Sequence, residues 1–144
     1  MIQNKIHYVS IEEAAKIAQE TRNTPGLHLA EIQGETIQSW EDYIEKIEDV
    51  FKFPTKCGDY MDRYYDWITD LSWIWEPDFS NEGGCVLIIY NYKHFLEQDQ
   101  VLKKKIMDGL SDEVLPWWQG DVENSVVNCV VGGKAKPFNI YLVD

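Results

Sequence analysis

Residues 53–71 read FPTKCGDYMDRYYDWITDL, and four aspartates in that stretch, Asp59, Asp62, Asp66 and Asp70, recur at three- and four-residue spacing. At 3.6 residues per turn this spacing lines them along one side of a helix. Arg63 stands among them, and Tyr60, Tyr65 and Trp67 flank them. Three kinds of chemistry suit such a row. It can simply face water, as the polar side of many helices does. It can hold a divalent metal or act as acid and base. It can also receive the cationic groups of a partner, and the aromatics favour this last reading, because Tyr and Trp are enriched where one protein surface desolvates another.

The elements that must position this row follow from pattern. Phe53-Pro54 stops the preceding helix, Lys56-Cys57-Gly58 makes a turn, and a helix is expected over about residues 59–72. Its core face would be Met61, Tyr64, Ile68 and Leu71. Before it, Ser39 with Asp42 signals a helix start. Trp40, Tyr43, Ile44, Ile47 and Phe51 then fall inward, and Glu41, Asp42, Glu45, Glu48 and Asp49 fall outward. Residues 5–9 suit a short edge strand, and Ser10 with Glu13 is a capping box for a helix that turns Ile11, Ala14, Ala15 and Ala18 to the core. A strand is expected over 27–32 between Pro25-Gly26 and Gly34. The run CVLIIY at 85–90 has no polar alternation, as a strand covered on both faces reads. Asp99 is placed to cap a helix with Val101, Leu102, Ile106 and Leu110 inward, which Gly109 is expected to break, with a restart at Ser111. Trp117 and Trp118 are expected to close the core beneath that helix. Residues 124–131 and 138–143 read as strands spaced to form a C-terminal hairpin. The fold class is therefore α/β, with helices about a small, mainly parallel sheet joined by right-handed crossovers and one extra hairpin strand.

The chain has 144 residues, 44% hydrophobic and 13% aromatic, enough for one folded domain without disulfides or metals. No apolar run reaches the roughly 20 residues of a membrane span, and residues 1–10 lack the pattern of an export signal, so the cytoplasm is the expected location. Thirteen basic against 25 acidic residues give a net charge of −12, which disfavours nucleic acid and anionic lipid and favours a basic protein partner. Cys57, Cys85 and Cys129 are widely spaced, as are His7, His28 and His94. Neither set has zinc-site spacing, and no nucleophile elbow or phosphate loop occurs. No cofactor, no metal and no enzymatic activity is expected.

The stretch Gly34-x-x-Ile37-x-Ser39, the amphipathic helix after it, Phe53-Pro54, Gly58, and Asp62 with Asp66 before Ile68-x-x-Leu71 together resemble the barstar family of small acidic ribonuclease inhibitors. The resemblance covers roughly residues 27–110 and the last strand. It implies a three-layer fold and one domain over 1–144, with a core of 27–110 plus 137–144, an N-terminal extension at 1–26 and an elaboration at 116–136. It also implies an immunity protein that occludes the basic active site of a nuclease toxin, most simply a ribonuclease, as a monomer forming a 1:1 complex. By the match Asp66 would sit deepest in that site with Asp62 beside it. The partner-binding residues expected are Lys56, Asp59, Tyr60, Asp62, Arg63, Tyr65, Asp66 and Asp70. Family members usually carry an aromatic where this chain has Lys56, an Asn at Tyr60 and often a Trp at Tyr65, so a different partner surface is implied. The alternatives are a carboxylate-based metal-dependent enzyme and a protein-binding module that inhibits nothing, with Trp117 and Trp118 as its contact patch.

Overall fold

The apolar run in the middle of the chain decides the architecture, because a strand without polar alternation must be covered twice. In the computed structural model, which describes residues 2–75, 83–124 and 134–144, that run is β3 (Gly84–Tyr90), buried along all but its last residue. Leu87 and Ile89 point into the larger core, and Val86 and Ile88 into a smaller one. Four strands form one wholly parallel sheet in the order β1-β4-β3-β2, with β1 at Ile6–Val9, β2 at Leu27–Gln33 and β4 at Phe138–Val143. The edge position expected for residues 5–9 is observed.

Helix α1 (Ile11–Arg22) covers one face through Ala14 and Ala18, and the Ser10 side chain accepts from the Glu13 amide at its start. Its inward stripe departs from expectation. Ile11 is 61% exposed and Ala15 is exposed, while Thr21 is buried with its hydroxyl donating to the Ile17 carbonyl at 2.6 Å. The small face lets α1 lie close to the sheet, and Thr21 is tolerated there because its hydroxyl is satisfied within the helix.

The other face carries α2 (Trp40–Val50), α3 (Met61–Ile68), α4 (Gln100–Gly109) and α5 (Leu115–Gln119), completing three layers. Ser39 caps α2, and Asp99 caps α4, each accepting the expected amide. Gly109 does not break α4. The chain continues through a π-helical turn, Leu110–Val114, into α5. Pro116 has no N–H to offer, and a widened turn just before it accommodates the missing bond. Val101, expected inward, is 82% exposed; Ile106 and Leu110 hold the buried side instead. Trp118 is buried, and its indole N–H donates to the Ile68 carbonyl at 3.0 Å, so it closes the core as expected.

The C-terminal hairpin is corrected. β4 lies between β3 and β1, both parallel to it, so its two hydrogen-bonding edges are already filled. Asn124 closes a 3-10 turn, Asp121–Asn124, and the rest of the expected strand at 124–131 lies outside the described residues.

Candidate functional site

Helix α3 is eight residues long, shorter than the span 59–72 read from periodicity. Thr69 and Asp70 end it. The Thr69 hydroxyl donates to the Tyr65 carbonyl at 2.6 Å, and Asp70 Oδ1 accepts from the Ser72 amide at 3.2 Å. The Asp70 bond gives the backbone a non-helical alternative and so competes with helix propagation. Leu71 then takes a left-handed backbone, φ 52°, which turns the chain and buries its side chain.

A helix this short has little stability of its own, so its orientation must come from packing. Tyr64 and Ile68 are buried beneath it. Tyr43 of α2 and Tyr64 share a buried hydroxyl–hydroxyl hydrogen bond of 2.6 Å, and Trp40 meets Tyr64 edge to face at 5.7 Å. Burial pushes the phenol pKa of both tyrosines up, so both stay neutral and available for that bond. The result is a rigid underside and a polar outer side.

The outer side holds most of the residues that the sequence singled out. Asp59, Asp62, Arg63 and Asp66 are exposed, and Tyr60 is 64% exposed with the Arg63 guanidinium 5.1 Å from its ring centroid. Lys56 is exposed on the turn just before them. Two others are placed differently. Asp70 is half-buried and engaged with Ser72, and Tyr65 is half-buried, turned toward α4. A Cβ built on Gly109 would lie 2.0 Å from the Tyr65 hydroxyl oxygen, so the missing side chain of Gly109 is the space that Tyr65 fills. Burial raises the Tyr65 pKa, with a further contribution from the Glu113 charge.

None of the ion pairs among the described residues engages Asp59, Asp62 or Asp66. Their charge is left facing outward. Cys57, just before the row, is buried, and its thiol is pushed up to about 11, by burial first and then by the Glu48 charge. Its buried side chain anchors the turn to the core. Among the described residues no group of three or more His, Cys, Asp or Glu is arranged to hold a metal, and no helix is long and apolar enough to cross a membrane.

A groove of about 700 Å³ lies beside this face, between α2, the 3-10 turn Gly34–Thr36 and the segment 53–56. Asp42, Glu45, Glu48 and Asp49 line it together with Lys46 and Lys56, and no α3 residue does. Glu48 and Trp40 reach the turn that precedes α3, a role the sequence did not disclose. Glu48 has the same outward spacing as Glu41 and Glu45, and only the folded path of the turn distinguishes it.

The chain is thus a three-layer α/β protein with outward carboxylates on and just before a short helix seated on the core. The family model for barstar, described as barnase inhibitor, matches residues 27–132, more than half of the chain, and the chain belongs to that family. The comparisons with curated proteins and with solved structures found no match. The family match begins at β2 and ends before β4, so β1 and α1 lie outside it.

Proposed function

We propose that this protein is an immunity protein that binds the cationic active site of a cognate nuclease toxin, most simply a ribonuclease, and blocks it in a 1:1 complex within the cell that makes the toxin. The observation that carries the reading is the row of Asp62 and Asp66 on a helix held from beneath, with Asp59 in the turn just before it, all three exposed and outside every ion pair among the described residues. A ribonuclease site concentrates Lys, Arg and His to hold phosphates. Carboxylates one helical turn apart, about 5.4 Å along the axis, can take the place of those phosphates in charge-assisted hydrogen bonds. Membership of the barstar family supports the same role. Tyr60 and Arg63 supply an exposed aromatic and a cation beside the acids, and Lys56 adds a positive charge at the rim, so partner choice would rest on these three. Tyr65 and Asp70 would serve the interface indirectly, Tyr65 by seating the helix against α4 and Asp70 by holding the turn just past its C-terminus.

The test is neutralisation. The nuclease encoded beside this gene is co-expressed with wild-type protein or with the double variant Asp62→Ala/Asp66→Ala, and the purified pair is titrated at low and high salt. Loss of two charge-assisted bonds should weaken binding by at least about a hundredfold. Wild-type binding should fall as salt is raised beyond about 0.1 M, where the Debye length drops below about 10 Å. Unchanged neutralisation by the double variant would refute the reading.

A further inference from the structure

We propose that Glu48 and Trp40 are positioning residues for partner binding, which together clamp the turn before α3 in its binding shape. The inference rests on the reading of α3 as the inhibitory face. After α2 the chain makes a Schellman ending: the Phe53 amide donates to the Glu48 carbonyl at 2.9 Å and the Lys52 amide to the Asp49 carbonyl at 3.3 Å, with Lys52 left-handed at φ 54°. Beyond Phe53 the next backbone hydrogen bond is the one the Tyr60 amide makes to the Cys57 carbonyl at 3.2 Å, across the turn itself. Pro54 has no N–H, and Pro54, Thr55 and Lys56 are exposed. Gly58 takes φ 61° with open space around it, and no side-chain cap closes the N-terminus of α3.

Two α2 side chains, two helical turns apart, reach into this gap. A Glu48 carboxylate oxygen accepts from the Cys57 amide at 2.5 Å, and the Trp40 indole N–H donates to the Gly58 carbonyl at 2.9 Å. They grip the N–H of one residue and the C=O of the next, while the Cys57 side chain is buried below. The gripped dipeptide sits between Lys56 and Asp59, so its orientation sets where both charges point and where α3 begins. Released, the turn would sample other shapes, and the apparent Kd for the partner would rise in inverse proportion to the fraction still competent.

Glu48 also lines the acidic groove, so a plain charge effect is the rival account. Three variants separate the two: Glu48→Ala removes acceptor and charge, Glu48→Gln keeps an acceptor without charge, and Trp40→Phe keeps the ring without the N–H. Amide hydrogen exchange at Cys57 is measured on the free protein, and affinity for the purified nuclease encoded beside the gene is measured at about 0.05 and 0.5 M NaCl. Glu48→Ala should speed Cys57 exchange and weaken binding, each by about tenfold, with the binding loss equal at both salts. Glu48→Gln should restore both to within about threefold of wild type, and Trp40→Phe should fall between. Unchanged exchange in Glu48→Ala overturns the clamp. So does a Glu48→Gln variant as weak as Glu48→Ala with a deficit that closes at high salt. Normal affinity of Glu48→Ala overturns the role in binding while leaving the inhibitory face intact. A wild-type protein that does not bind the nuclease removes both the parent reading and this role, with the exchange result still reporting whether the turn is held.

Discussion

His28, on edge strand β2, shows how one side chain couples strand, helix and pH. Its ring nitrogen meets the Val50 carbonyl at 2.7 Å, and the ring packs against Phe51. A helix-terminal carbonyl would favour the charged imidazolium, but burial outweighs it, and with a smaller effect of Lys52 the pKa falls below the ordinary 6.5. The unfolded chain therefore binds the proton at a higher pH than the folded one. Stability from this residue is full above about pH 6.5 and is lost as pH falls toward the lowered folded value. Thermal melts from pH 8 to pH 5 should show a steeper loss for wild type than for His28→Gln. Nearby, Lys52 holds a left-handed backbone that disfavours a Cβ. Lys52→Gly should stabilise by roughly 0.5–1 kcal/mol in urea denaturation, the relief of strain being partly offset by the freer unfolded chain.

Among the elements, the junction of α4 with the π-helical turn is where the helix layer locks α3. Gly109 looked like a helix breaker because glycine disfavours a helix interior, yet the helix passes through it, and the residue serves Tyr65 instead. Gly109→Ala adds a methyl group where the Tyr65 hydroxyl sits, so it should destabilise by about 1–3 kcal/mol despite the better helix propensity of alanine. In a Tyr65→Phe background the nearest contact becomes the ring carbon at 3.0 Å, and the penalty should shrink by more than half. Chemical denaturation of the four proteins in this cycle measures the coupling. The same neighbours explain why α3 was read too long. Periodicity carries on through Asp70 and Leu71, but Asp70 gives its side chain to the Ser72 amide, and the pull of the core on Leu71 reverses the backbone there.

For the whole molecule, the segment before β2 is tied into the centre of the fold although the family match does not include it. Buried Asn4 donates to the carbonyls of Leu115 and Lys136, both at 3.2 Å, and accepts from the Phe138 amide at 2.9 Å, joining the start of β1 to α5 and to the start of β4. Asn4→Ala should cost about 2–4 kcal/mol in urea denaturation, because it removes three buried hydrogen bonds to backbone groups. The sequence by itself determined what depends on local order. The helix caps at Ser10, Ser39 and Asp99, the doubly covered strand at 85–90 and the outward aspartates of α3 follow from periodicity and from the short reach of a capping side chain. The parallel sheet also followed, since a strand covered on both faces needs helices on each side. Only the tertiary structure decided that β4 enters between β3 and β1, which takes both its edges and leaves none for a hairpin. It alone turned Tyr65 into the space at Gly109, and it alone gave Glu48 and Trp40 of α2 their hold on the turn at Cys57 and Gly58. These contacts join residues with no shared period, and their partners are chosen by the three-dimensional path of the chain.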